Sequence, residues 1–141
     1  MQKVNARAYL CEGMDPGEAK GALLRANPDA VVQTLRVGSV KNEFLVEMLA
    51  AQTLQAMESG GLLAKKPEID LLLRFAGTTQ ISRAIESDGA AKGGKFLAVV
   101  AGHATPSMPS GFNGVRLPRK PLSRSELGRI EGAALLGADR S

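Results

Sequence analysis

Chemistry in this chain of 141 residues would have to start from few reactive side chains, because it holds one cysteine, Cys11, and one histidine, His103. A lone cysteine excludes an internal disulfide. Together the two leave no set of soft ligands for a structural zinc site. His103 stands in a Gly-Ala-Thr-Pro context and Cys11 lies near the end of an alternating segment, so nothing local orients either one as nucleophile or base. Gly93-Gly94-Lys95 imitates part of a phosphate loop, but that loop needs a strand before it and a helix at the lysine. Here the residues after the lysine read as a strand. The carboxylates fall on helix edges with basic neighbours rather than as a close pair tuned for acid-base work.

The turn Gly77-Thr78-Thr79-Gln80 is more promising. It follows the apolar run Leu71 to Phe75 and precedes a second amphipathic segment, so it stands at the start of a helix. A helix start presents free N–H donors and the positive end of a dipole to an anion. Arg74 lies one turn upstream, and the two threonines and the glutamine offer groups that bond to phosphate, ribose or base edges. The same residues also suit an ordinary helix-helix corner. With one tyrosine, four phenylalanines and no tryptophan, base stacking would not be the main source of affinity for RNA.

The elements that must carry this turn can be read from periodicity and caps. Val4, Ala6, Ala8 and Leu10 alternate with polar neighbours and predict a half-buried strand. Asp15, Pro16 and Glu18 predict a capped helix to about Ala26, and residues 30–37 a mostly apolar strand covered on both faces. Lys41 to Met57 predicts the longest helix, apolar on two stripes, with Glu43, Glu47 and Glu58 as its polar edge. Ser59-Gly60-Gly61 ends it. Pro67 opens the next helix and Gly77 stops it, and a helix capped by Gly77 or Thr78 then places Ile81, Ala84 and Ile85 on one face. Lys95 to Val100 predicts a third strand, residues 102–111 a loop, and Phe112 to Leu117 a fourth short strand. Ser123 and Glu126 form a capping box for a terminal helix ending near Leu136, with Leu127, Ile130, Ala134 and Leu135 along one side. Gly128 and Gly132 in that helix cost about 1 kcal/mol each relative to alanine, which predicts a packing role or a helix secured by contacts. The expected fold is α/β (α+β), a small mixed β-sheet with packed helices in a single domain spanning 1–141.

Size and charge bound the partners. A chain of this length buries roughly 68–70% of the surface its unfolded form exposes, enough for one core. No apolar run reaches the roughly 18 residues of a membrane span, and the first residues show no signal-peptide pattern, so a soluble, cytoplasmic protein without membrane association is expected. The net charge of +4 is uneven: residues 1–70 carry 8 basic and 9 acidic side chains, residues 71–141 carry 10 and 5. Arg116, Arg119, Lys120, Arg124 and Arg129 concentrate the surplus, as a polyanion-binding surface would, though a solvated basic loop has the same composition.

The stretch Leu72-Leu-Arg74-Phe-Ala-Gly77-Thr78-Thr79-Gln80-Ile81-Ser-Arg-Ala84-Ile85 resembles a signature of the kinase-binding subunit of the KEOPS complex, the TPRKB-like family. Thr79 departs from it, since an arginine is common there. Weaker likeness runs through residues 29–37, 41–55 and 95–100 to the chain's end. The resemblance implies a non-enzymatic regulatory subunit without cofactor or metal. Such a subunit binds and activates the small atypical protein kinase of KEOPS, reaches the other KEOPS subunits through it, and helps bind tRNA, including its 3′ end, for N6-threonylcarbamoyladenosine synthesis. Candidate RNA contacts are then Lys41, Arg74, Gly77, Thr78, Thr79 and Gln80, and candidate kinase contacts are Leu127, Ile130 and Ala134 on the terminal helix. The terminal helix also suits the monomer core. The rival class is a small-molecule or phosphate-binding domain with enzymatic activity, using the Gly77 turn as its phosphate site.

Overall fold

Four strands and five helices follow one another as β1 (Asn5–Cys11), α1 (Pro16–Ala26), β2 (Val31–Arg36), α2 (Glu43–Ser59), α3 (Pro67–Ala76), α4 (Ile81–Asp88), β3 (Phe96–Gly102), β4 (Gly114–Arg116) and α5 (Arg124–Leu135). The computed structural model describes residues 3–91 and 93–138. The strands form one sheet in the order β2-β3-β1-β4, and every ladder in it is antiparallel, where a mixed sheet was expected. β1 and β2 run parallel to each other but do not touch, because β3 is inserted between them as in a split β-α-β unit. Tyr9 stands opposite Ala98 on β3 and Arg116 on β4, which fixes the register.

β3 is buried along its whole length because helices cover both faces of the sheet. On one face α1 sets Ala19 and Leu23 against Cys11, Val32, Phe96, Ala98 and Val100. On the other, α2 and α3 set Leu45, Val46, Leu49, Leu71 and Leu73 against Ala6, Ala8, Leu35, Leu97 and Val99. The half-buried reading of β1 therefore fails at its second half, where Tyr9 is buried edge-on to Phe112 with ring centroids 5.8 Å apart.

Local chemistry explains most of the ends. Asp15 accepts the N–H of Glu18 at 3.1 Å with Pro16 at the first helical position, and Ser123 and Glu126 complete the reciprocal capping box of α5. Gly60 and Gly77 end α2 and α3 at φ of 78° and 72°, a region that excludes most side chains. α2 begins at Glu43 and not at Lys41, capped by Asn42, whose Oδ1 accepts the N–H of Phe44 at 3.0 Å. α2 rests on the sheet and against α3 and α5, leaving Met48 and Met57 partly in solvent.

Candidate functional site

The corner between α3 and α4 is built by Gly77, whose left-handed backbone lets its own N–H and that of Thr78 donate to the Leu73 carbonyl at 2.8 and 3.3 Å. Thr78 Oγ1 accepts the Gln80 N–H at 3.1 Å, a local turn that carries the chain into α4. The helix starts two or three residues later than expected: its N-cap is Gln80, which supplies no side-chain cap, instead of Gly77 or Thr78. Thr79 and Gln80 are exposed and Thr78 is half-buried. The corner forms one wall of an open cleft whose other walls are Arg36, Arg83, Glu86 and Ser87. Arg36 Nη2 donates to the Glu86 carbonyl at 2.6 Å, which holds the guanidinium at the cleft, while Arg83 is exposed with no side-chain partner among the described residues.

Arg74 does not reach this cleft and is withdrawn as an RNA contact. Only 7% exposed, it points inward between α2 and α5, with Nε on Asp70 Oδ1 at 2.7 Å and Nη2 on Asp70 Oδ2 at 3.1 Å. Its Nη1 donates to the Ala133 carbonyl at 3.2 Å and to Gln52 Oε1 at 3.3 Å. Asp70 is fully buried and also accepts the Thr53 hydroxyl at 2.6 Å and the Leu63 N–H at 2.9 Å. A paired charge satisfied on every side is a core device that joins α2, α3 and α5. The i, i+4 spacing of Asp70 and Arg74 inside an apolar helix was the signal that could have revealed it.

Lys41 is exposed, and its loop is tied to the same end of the molecule as the Gly77 corner. Arg129 makes the tie, donating from Nη1 to the Ser39 carbonyl at 2.9 Å and from Nη2 to the Phe75 carbonyl at 2.8 Å. The Ser39 hydroxyl also donates to the Asp88 carboxylate at the end of α4. The expected basic surface is smaller than composition implied. Arg116 grips Glu43 with a closest contact of 2.7 Å, Arg119 pairs with Glu47 at 3.0 Å and lies 4.0 Å from the Phe44 ring centroid, and Arg129 is used as above. Lys120 and Arg124 keep exposed side chains without partners among the described residues. Glu43 is a further correction: expected on a polar edge, it is 1% exposed and also accepts the Ala8 N–H at 3.3 Å. Its carboxylate holds the Arg116 guanidinium even more firmly protonated than usual, through the hydrogen bonds between them.

The terminal helix divides the three expected kinase contacts. Ile130 packs against the core and its carbonyl accepts Gln52 Nε2 at 3.0 Å, so it belongs to the fold of this chain. Ala134 is exposed and Leu127 is 47% exposed, with Leu135 at 68% beside them. A Cβ added at Gly128 or Gly132 would meet nothing within 4 Å, so neither glycine serves a close approach inside the chain; contacts from Arg74, Gln52 and Arg129 secure the helix.

Cys11 and His103 lie at opposite ends of the β1–β3 ladder. Cys11 is buried, and burial pushes its thiol up to about 11. His103 has Nδ1 3.1 Å from the Lys3 carbonyl and Nε2 3.5 Å from Glu58. Gly93 and Gly94, at φ of 79° and 87°, lead through Lys95 into β3, which begins at Phe96 and not at Lys95 as expected, so a strand and not a helix follows the lysine. Among the described residues no group of three or more His, Cys, Asp or Glu side chains is placed to hold a metal ion, and no helix is long and apolar enough to cross a membrane. No protein-family model matches the chain, and no curated protein is significantly similar to it.

Proposed function

We propose that this chain is a non-catalytic regulatory subunit of the KEOPS complex, which binds and activates the small atypical kinase and helps hold tRNA for N6-threonylcarbamoyladenosine synthesis. The observation that supports this reading best is the exposure of Thr79 and Gln80 on the corner of the very motif that carries the resemblance, beside a cleft holding Arg36 and Arg83. Arg83 and Arg36 take over the phosphate-facing role first given to Arg74, with Lys41 on the same end of the molecule. The kinase-facing surface is the outer side of α5, formed by Leu127, Ala134 and Leu135.

The experiment is a salt titration of tRNA binding with intact tRNA and with tRNA lacking its 3′-terminal nucleotides. Binding should weaken without the 3′ end, and Arg83→Glu should weaken it and flatten the salt dependence. Equal binding of both tRNAs, or no effect of Arg83→Glu, removes the site. A thermal-shift screen against nucleotides covers the rival class, since a specific small ligand stabilises by RT ln(1 + [L]/Kd) and a protein-binding subunit shows no shift.

A further inference from the structure

α4 leaves its apolar side uncovered. Ala84 is buried, but Ile81 is 45% and Ile85 54% exposed, one turn apart on the same face. Ile81 forms one wall of an open groove, and Leu62, Ala64 and Ile69, from the α2–α3 connection and the first turn of α3, form the other. Gly60, without a side chain, leaves that end unobstructed. Lys65 and Lys66 stand exposed on the rim, neither with a side-chain partner among the described residues, and no acidic side chain lines the groove.

We infer that this groove is a docking site for an amphipathic helix of a partner protein whose apolar stripe is flanked by acidic residues. An open groove with apolar walls suits helical anchors at i, i+3, i+4 and i+7. The two unpaired lysines select the flanking charge, since opposite charges set partner choice and like charges repel. A second copy of this chain docking face to face would bring Lys65 and Lys66 of both copies into one interface whose groove holds no acidic side chain, so self-association is disfavoured. A membrane surface would call for a convex apolar face, whereas Leu62, Ala64, Ile69 and Ile81 line a concavity. The groove shares no lining residue with the cleft at the Gly77 corner.

The probe is a fluorescein-labelled amphipathic helical peptide with leucines at i, i+3, i+4 and i+7, made in two forms whose flanking positions are all Glu or all Lys. Fluorescence anisotropy should show the Glu form binding at least about tenfold tighter than the Lys form. Ile81→Glu and Ile85→Glu should each weaken it by about tenfold or more, and Lys65→Glu with Lys66→Glu should invert the preference. All four positions are exposed, so circular dichroism should stay that of the parent chain. Failure of both peptides to bind, equal affinity for the two, or binding to phosphatidylserine vesicles in place of peptide overturns the inference.

Discussion

Replacing Arg74 with alanine should damage the fold and not an exposed binding surface. The substitution leaves Asp70, fully buried, without its two guanidinium bonds, while the Thr53 hydroxyl and the Leu63 N–H still donate to it. Removing one partner of a buried ion pair costs about 3–5 kcal/mol, and the surviving hydrogen bonds put this case near 3 kcal/mol. The lost bond to the Ala133 carbonyl adds about 1 kcal/mol by releasing α5. Against a typical domain stability of about 5–15 kcal/mol this is a large fraction, equivalent to a melting temperature lower by roughly 8–16 °C. Urea denaturation followed by far-ultraviolet circular dichroism measures it. An apolar double variant, Asp70→Leu with Arg74→Met, should recover most of the loss, because it removes the desolvated charge together with its partner. A loss below about 1 kcal/mol, or a fall in tRNA affinity at unchanged stability, would refute the reasoning and return Arg74 to the surface chemistry.

Four further outcomes follow from the same structure. The Ser123 N–H bonded to Glu126 holds that carboxyl below the usual carboxylate range, so its contribution is full above the unfolded value of about 4.3 and is lost as pH falls through the lower folded value; acid titration of Glu126→Gln against the parent should show the difference only above that window. Ser123→Ala should cost about 1 kcal/mol in urea melts, with α5 amides losing hydrogen-exchange protection first. Cys11 should resist a disulfide reagent at pH 8 in the native state and react at once in denaturant, because its thiol stays protonated until about pH 11 and is buried. Ile130→Asp should destabilise the chain by about 2–4 kcal/mol, whereas Leu127→Asp, on the outer side, should change stability by less than about 0.5 kcal/mol.

What sequence revealed and what it hid divide along the range of the interactions involved. The starts of α1 and α5 were legible because Asp15, Pro16, Ser123 and Glu126 act on backbone groups within three residues. The stops at Gly60 and Gly77 were legible because few other residues tolerate that backbone. Glu43 was misplaced because its partner Arg116 stands 73 residues away, whereas Arg74 was misplaced although its main partner, Asp70, stands one turn before it in the same helix. α4 shows a third kind of limit: eight residues with Ile81, Ala84 and Ile85 on one side announce an apolar face, but not whether this chain or another covers it. The antiparallel sheet was hidden because three helices separate β2 from β3, a spacing equally compatible with a parallel crossover. Of the Gly77 corner, Thr78, Thr79 and Gln80 were read directly, while Arg36 comes to the cleft only through the packing of β2 beside α4.

The central claim is tested most directly by isothermal titration of this chain into the small atypical KEOPS kinase encoded by the same organism. The account predicts a one-to-one complex, weakened by more than about tenfold in Leu127→Asp while the circular dichroism of that variant is unchanged. Absence of heat and of co-elution for the parent chain, or an identical affinity for Leu127→Asp, would contradict it.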